Sequence, residues 1–210
     1  MPIRKIPKNY RSLTGAFYSF KNKRSLLFES KLERDFFLSL EFDKEVTSYE
    51  EQPMKLSYRK NGRIYPYTPD CLVHYIDKKS CIVEVKYSDE IKEKKVFLKE
   101  KFDQIEEYLE ENDMTFKLFS DLDIDSVSLE NMHFIYNYVN IRNQAKVEEV
   151  KRALDGIDSI SYEELLLSLS HDRYKRTEYI PYIWYLVLLG KLQIDFQKKI
   201  SPNTLLEVVK

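Results

Sequence analysis

Tyr67-Thr-Pro-Asp-Cys-Leu-Val-His-Tyr75, a short polar turn, and then Cys81-Ile-Val-Glu-Val-Lys-Tyr87 decide how this chain is read. Two apolar runs separated by turn residues predict a β-hairpin. Asp70 enters the first strand, and Glu84 and Lys86 lie in the second. Side chains alternate across a strand, so Glu84 and Lys86 share one face while Cys81, Val83, Val85 and Tyr87 take the other. Buried strands rarely hold charges, because desolvating an unpaired ion costs on the order of several kcal/mol. An acid and a lysine side by side, with an aspartate near, therefore predict a metal site and not a packing pattern. Asp70 must join that face. Pairing Asp70 with Lys86 does so; it also sets Leu72 against Glu84 and Ile76 against Ser80, with a three-residue loop at 77–79.

Phosphodiester hydrolysis needs a cation to neutralise the scissile phosphate and activate water. Hard Mg²⁺ takes carboxylate and carbonyl oxygens and keeps several waters. Asp70 and Glu84 supply two carboxylates, and the Val85 carbonyl lies between Glu84 and Lys86 as a further ligand. Lys86 is placed to hold the attacking water or to stabilise charge building on the phosphate. Upstream, Ser30 and Glu33 fit a capping box. With Phe36, Phe37 and Leu40 three, four and seven residues on, Glu33 borders the inward face of that helix. It either caps the helix or completes the metal pocket. Pro-Asp, about a dozen residues, then Glu-x-Lys is the PD-(D/E)xK nuclease signature.

The rest of the chain bounds this reading. With 210 residues, 43% of them hydrophobic, it can build one large domain or two small ones. Only four glycines leave no room for a glycine-rich phosphate loop. A net charge of −1 means that any nucleic-acid surface must be a local patch. Cys71 and Cys81 are not opposite in the hairpin, so a disulfide is not expected, and no zinc quartet is present. No apolar run approaches the ~20 residues of a membrane span. The basic N-terminus lacks an apolar signal core, so a cytoplasmic protein is expected.

Residues 1–31 hold Arg4, Lys5, Lys8, Arg11, Lys21, Lys23, Arg24 and Lys31 against the single acid Glu29, with Tyr10, Phe17, Tyr18 and Phe20 among them. This is either a phosphate-contacting arm or a solvated terminus. A helix begins at Ser30 and ends by 41–43. Strands are expected at 46–49 and 54–58, with Asn61-Gly62 as a hairpin turn. One long helix follows at 89–111, capped by Ser88, with Leu98, Phe102, Ile105 and Leu109 as its buried stripe. Lys92, Lys94, Lys95, Lys99 and Lys101 load its first half as a solvated or phosphate-facing surface. A strand at 114–119 completes an α/β core.

The second half reads as helices at 129–139, 144–154, 165–169 and 179–189, the third capped by Ser161 and Glu164 and the last stopped by Gly190. A short strand at 192–196 follows. That outline fits a winged-helix module as well as a generic helical cap. The expected division is residues 1–124, a nuclease domain with a basic arm, and 125–210, a small mainly helical domain. His74, His133 and His171 are scattered and read as structural or surface groups.

The run Phe28-Glu-Ser-Lys-Leu-Glu-Arg-Asp-Phe-Phe-Leu-Ser-Leu-Glu-Phe-Asp43, with Val46, Glu51-Gln-Pro53, Thr68-Pro-Asp-Cys-Leu-Val73 and Val83-Glu-Val-Lys86, resembles the TnsA family of Tn7-like transposase endonucleases. Arg11-Ser-Leu-Thr-Gly15 is similar to the start of family members. The resemblance covers about residues 10–120 well and the remainder in layout only. It implies a restriction-endonuclease-like core, a mixed sheet flanked by helices, with a smaller C-terminal domain. It also implies Mg²⁺-dependent cleavage, with Mn²⁺ as substitute, at the 5′ ends of a bacterial transposon. Implied partners are double-stranded DNA, a TnsB-like DDE transposase subunit that cuts and joins the 3′ ends, and a TnsC-like ATPase regulator. The family's catalytic positions fall on Glu33, Asp70, Glu84 and Lys86. Glu84 stands where some relatives carry glutamine, and Gln52 matches a family position without an assigned chemistry. A freestanding restriction or repair nuclease, or a non-catalytic DNA-binding subunit, are the alternatives.

Overall fold

The computed structural model describes residues 13–209, which divide into two compact units at Asp123 and Ile124. The basic residues Arg4, Lys5, Lys8 and Arg11 of the expected N-terminal arm lie outside the described residues.

The first unit opens with a hairpin, β1 (Gly15–Ser19) and β2 (Arg24–Phe28). Helix α1 (Lys31–Phe42) follows, then β3 (Val46–Glu51), a ribbon of β4 (Leu56–Lys60) and β5 (Arg63–Tyr67), and the central strands β6 (Cys71–Tyr75) and β7 (Cys81–Val85). Helices α2 (Ser88–Glu93) and α3 (Lys95–Glu111) lead to β8 (Thr115–Phe119). Strands β3, β6, β7 and β8 form one sheet in that order; the first two pairings are antiparallel and β7–β8 is parallel. The parallel pairing requires a crossover, which α2 and α3 provide.

Alternation along the strands sorts the core into two layers. On one face Leu72 and Ile82 pack with Tyr67, Leu98, Phe102, Ile105 and Leu109, the predicted stripe of α3. On the other, α1 packs by its aromatic side: Phe36 meets Phe119 at 4.8 Å between ring centroids and Phe37 meets Tyr49 at 5.6 Å. The sheet is thus mixed and flanked by helices.

Several expectations are corrected in this unit. Residues 15–28 are a hairpin, not a loose arm, and two of their charges, on Lys21 and Arg24, serve the fold. Lys21 donates to the carbonyls of Asp43 and Val46, the latter at 2.6 Å, and burial lowers its pKa against the pull of Glu41 and Asp43. Arg24 makes a bidentate pair with Glu51 at 2.9 and 2.7 Å. The single helix at 89–111 is two, broken at Lys94, and Ser88 is the first residue of α2, with Tyr87 at the cap. Asp121 accepts from the Ser88 backbone N–H and hydroxyl at 2.6 and 3.2 Å.

The second unit holds α4 (Ser126–Tyr136), α5 (Gln144–Ala153), β9 (Ser159–Ser161), α6 (Tyr162–Leu169), α7 (Arg173–Leu188), β10 (Leu192–Gln193) and β11 (Leu205–Val208). The strands form an antiparallel sheet ordered β10-β11-β9. From α5 onward, helix, strand, two helices and two strands is winged-helix connectivity. The expected capping box at Ser161 and Glu164 is present, and Gly190 sits at φ 67°, the left-handed stop that glycine favours. Helix α7 starts six residues before the expected 179, capped by Asp172, and carries Pro181 inside it. Trp184 is buried against Tyr162 and Phe134. Among the described residues no helix is long and apolar enough to cross a membrane.

Candidate active site

The ends of β6 and β7 position the predicted group. Their register pairs Cys71 with Val83, Leu72 with Ile82 and Val73 with Cys81, which sets Asp70, just ahead of β6, across from Glu84. The expected pairing of Asp70 with Lys86 is therefore corrected by two residues, and the loop spans 76–80. A two-residue slip preserves the face, since side chains repeat with period two. Asp70, Glu84 and Lys86 meet as expected.

The Lys86 ammonium gathers the set. Its Nζ lies 3.1 Å from Glu84 Oε1, 3.8 Å from Asp70 Oδ2 and 3.4 Å from the Val85 carbonyl oxygen. The Val85 N–H donates to Asp70 Oδ2 at 2.7 Å, locking the aspartate onto the second strand. Its own main chain is held too: the Gln52 N–H donates to the Asp70 carbonyl at 3.1 Å. Gln52, at φ 46°, also donates its side-chain amide to Glu29 Oε1 at 3.1 Å. This gives the unassigned Gln52 a place, as the turn residue bracing the approach to Asp70.

Charge is concentrated here at the expense of solvation. Burial and the facing Glu84 charge push the Asp70 carboxyl up to about 7, against the opposing pull of Lys86 and the Val85 N–H; Glu33 adds to the rise. Burial disfavours the Lys86 ammonium, but Asp70 and Glu84 outweigh it and hold its pKa above the usual value.

Two residues complete the site that the sequence reading did not place there. Tyr67, at the end of β5, donates its hydroxyl to Glu84 Oε2 at 2.6 Å; burial and the Glu84 charge drive that phenol far above its ordinary pKa, so it stays a donor. Lys101 of α3 was grouped with the surface lysines. It is buried, with Nζ 3.5 Å from Glu84 Oε1 and 3.5 Å from the centroid of the Tyr67 ring. Burial lowers its pKa, Glu84 opposing and Lys86 assisting. The signal was available: Lys101 falls three after Leu98 and four before Ile105, on the buried stripe itself.

Glu33 stands apart. Ser30 Oγ accepts from the Glu33 N–H at 3.0 Å, while the Glu33 carboxylate accepts from the Ser30 hydroxyl at 2.9 Å and the Glu29 N–H at 2.8 Å. It therefore caps α1 as one reading held, and reaches Asp70 through its charge. His74 contacts Ser80 Oγ at 2.9 Å and Glu50 Oε1 at 3.4 Å, outside this group.

Among the described residues no cluster of three or more His, Cys, Asp or Glu side chains is poised to hold a metal ion. The donor set is instead two carboxylates and a main-chain carbonyl. The Lys86 ammonium lies within 3.8 Å of an oxygen of each, so the three oxygens converge on one point.

A mixed four-stranded sheet between helices, with aspartate, glutamate and lysine at the ends of its central antiparallel pair, places the first unit in the restriction-endonuclease-like class of α/β folds. Residues 43–121 match the family model of the TnsA-like endonuclease N-terminal domain. The match links the chain to endonuclease function in Tn7-like transposition. It includes Asp70, Glu84, Lys86 and Lys101 and stops short of Glu33. No curated protein matches the chain.

Proposed function

We propose that the chain is a divalent-metal-dependent DNA endonuclease subunit that hydrolyses phosphodiester bonds at the 5′ ends of a Tn7-like transposon. The observation that carries the reading is the meeting of Asp70, Glu84 and Lys86 inside a TnsA-like domain. Asp70, Glu84 and the Val85 carbonyl would hold the ion, a hard-oxygen set suited to Mg²⁺ or Mn²⁺. Bound there, the ion neutralises phosphate charge and acidifies water.

The chain's own residues do the rest. Tyr67 fixes one oxygen of Glu84 and leaves the other toward Lys86 and Lys101. The Val85 N–H fixes Asp70 Oδ2. Lys86, beside both carboxylates, would orient the nucleophile or donate to the developing phosphate charge. Lys101 keeps a second positive charge behind Glu84, and Glu33 adds its negative charge from the cap of α1. A DDE transposase subunit for the 3′ ends and an ATPase regulator are the partners this activity calls for.

The test is cleavage of duplex transposon ends by the full chain together with a DDE transposase subunit. Nicking at the 5′ ends with Mg²⁺, lost with EDTA and with Asp70→Ala, is expected. Undiminished cutting by Asp70→Ala would overturn the site.

A further inference from the structure

The β4–β5 ribbon has no role in the site just described beyond contributing Tyr67 at its base. It is a separate two-stranded sheet, closed by Asn61 at φ 50° and Gly62 at φ 73°. An Asn-Gly pair in the left-handed region is the tight hairpin turn whose twist matches its strands. Residues 59–66 are all exposed.

The charge of this ribbon is one-sided. Lys55, Arg59, Lys60 and Arg63 fall between residues 54 and 69, and no acid does, in a chain whose net charge is −1. The exposed stretch of α2 and α3 is different: Glu93 and Glu100 lie among Lys92, Lys94, Lys95 and Lys99, so both signs are mixed, as on a solvated surface. At the ribbon's tip, Lys60 pairs directly with Arg63. Like charges opposite one another destabilise a sheet. Protection of the open edge does not call for them, since Pro66 already interrupts β5 as a pairing template.

The ribbon is also aimed. The Gln104 side chain of α3 pairs with both main-chain groups of Arg59, at 2.9 and 3.1 Å. Tyr58 stacks on Tyr65 and meets Phe97 edge-on, and the Lys60 ammonium sits 4.0 Å from the Phe97 centroid. An isolated hairpin is marginal in water, and these contacts hold this one in a fixed direction. At its base Tyr67 binds Glu84, and Asp70 follows three residues later.

We propose that β4–β5 is a DNA-backbone arm, resting on the nuclease reading above, in which Lys60 and Arg63 hold duplex phosphates on one side of the cut. Five residues per strand at about 3.4 Å each carry the tip about 17 Å from Tyr67. At about 3.4 Å per base pair that reach corresponds to about five base pairs, half a helical turn. Phosphate contacts of this kind set register and carry no sequence information.

The experiment measures duplex binding by the full chain, without metal, across a KCl series, for the wild type, Lys60→Gln/Arg63→Gln and Lys92→Gln/Lys95→Gln. Losing two phosphate contacts lowers the slope of log K against log salt by about 1.8. The tip variant is expected to show that drop and to lose hydroxyl-radical protection about half a turn from the scissile phosphate; the helix variant keeps the wild-type slope. Thermal melting of the tip variant stays close to wild type, because relief of the like-charge pair offsets loss of the Lys60–Phe97 contact. A wild-type slope in the tip variant, or an equal fall in both variants, overturns the arm while leaving the nuclease reading standing. Absence of duplex binding by the wild type, alone and with a transposase subunit, overturns both.

Discussion

Two buried glutamates in the first unit, Glu41 on α1 and Glu84 on β7, are each held by a tyrosine hydroxyl at 2.6 Å. Around Glu41 the donors are the Ser19 hydroxyl at 2.5 Å, the Phe20 and Lys21 N–H groups at 3.0 and 3.2 Å, and Tyr49. Those bonds tie the β1–β2 turn to the helix and the sheet. Around Glu84 one oxygen takes Tyr67 while the other faces two ammonium groups, with a second carboxylate across the strand pair. The first arrangement is a fastening made of hydrogen bonds. The second crowds like charges and balances them with the ammonium groups of Lys86 and Lys101.

The largest effect should separate the two at the level of chemistry. Asp70→Ala and Lys86→Ala are expected to reduce cleavage by about 10³-fold or more, since each removes charge stabilisation at the reacting centre. Mn²⁺ should raise the melting temperature of the wild type and leave that of Asp70→Ala unchanged, because only a state that binds the ion gains from it. Glu41→Gln should leave cleavage per folded molecule intact. If Glu41→Gln cuts no better than Asp70→Ala while fully folded, the division between fastening and site fails.

Stability should respond in the opposite order. Glu41→Ala removes an acceptor shared by four donors and should cost about 3 kcal/mol in urea unfolding, the scale for breaking a buried charged hydrogen-bond network. Asp70→Asn should instead stabilise the metal-free protein near neutral pH. An ordinary aspartate titrates near 3.9 when unfolded, and here burial and Glu84 raise it to about 7. Between those values the folded state binds more protons than the unfolded one, so stability falls as pH rises across that window. The asparagine variant should lack that decline and melt a few degrees higher at pH 8 in EDTA. A wild type whose metal-free stability is flat from pH 4 to 7 would remove the electrostatic difference between the two glutamates.

How far the sequence anticipated this follows from which forces are local. The Asp70, Glu84, Lys86 group was legible because strand alternation is periodic, and an error of two in register leaves faces unchanged. The crossover helix was read from Leu98, Phe102, Ile105 and Leu109, but its start was not, because Asp121 holds the Ser88 N–H from across the fold; the break at Lys94 has no local sequence cue. The β1–β2 hairpin was missed for the same reason: it is fixed by Glu41 and by Asn22, which pairs with both main-chain groups of Tyr49 at 2.9 and 3.2 Å. Lys101 was misread by its charge although its position obeyed the stripe. In the second unit the early start of α7 was hidden by Arg173, Lys175 and Arg176, which carry no apolar period, and by Pro181, which ordinarily marks a boundary.

The finest test compares the two tyrosines. Tyr49→Phe and Tyr67→Phe each delete one hydroxyl-to-carboxylate bond, worth about 1.5–3 kcal/mol when the acceptor is charged. Tyr49 Oη also lies 3.3 Å from the Phe37 carbonyl, so its loss should register wholly as stability. At Tyr67 the stability loss should be smaller, because Lys86 and Lys101 remain on Glu84. Its cleavage should fall about tenfold, since a carboxylate free to rotate is misplaced for the ion by fractions of an ångström. Tyr67→Phe should also weaken Mn²⁺ binding in calorimetry, a readout that Tyr49→Phe leaves at the wild-type value. Equal Mn²⁺ affinities in the two variants would mean that Tyr67 is a second fastening, and that Glu84 is oriented by its lysines alone.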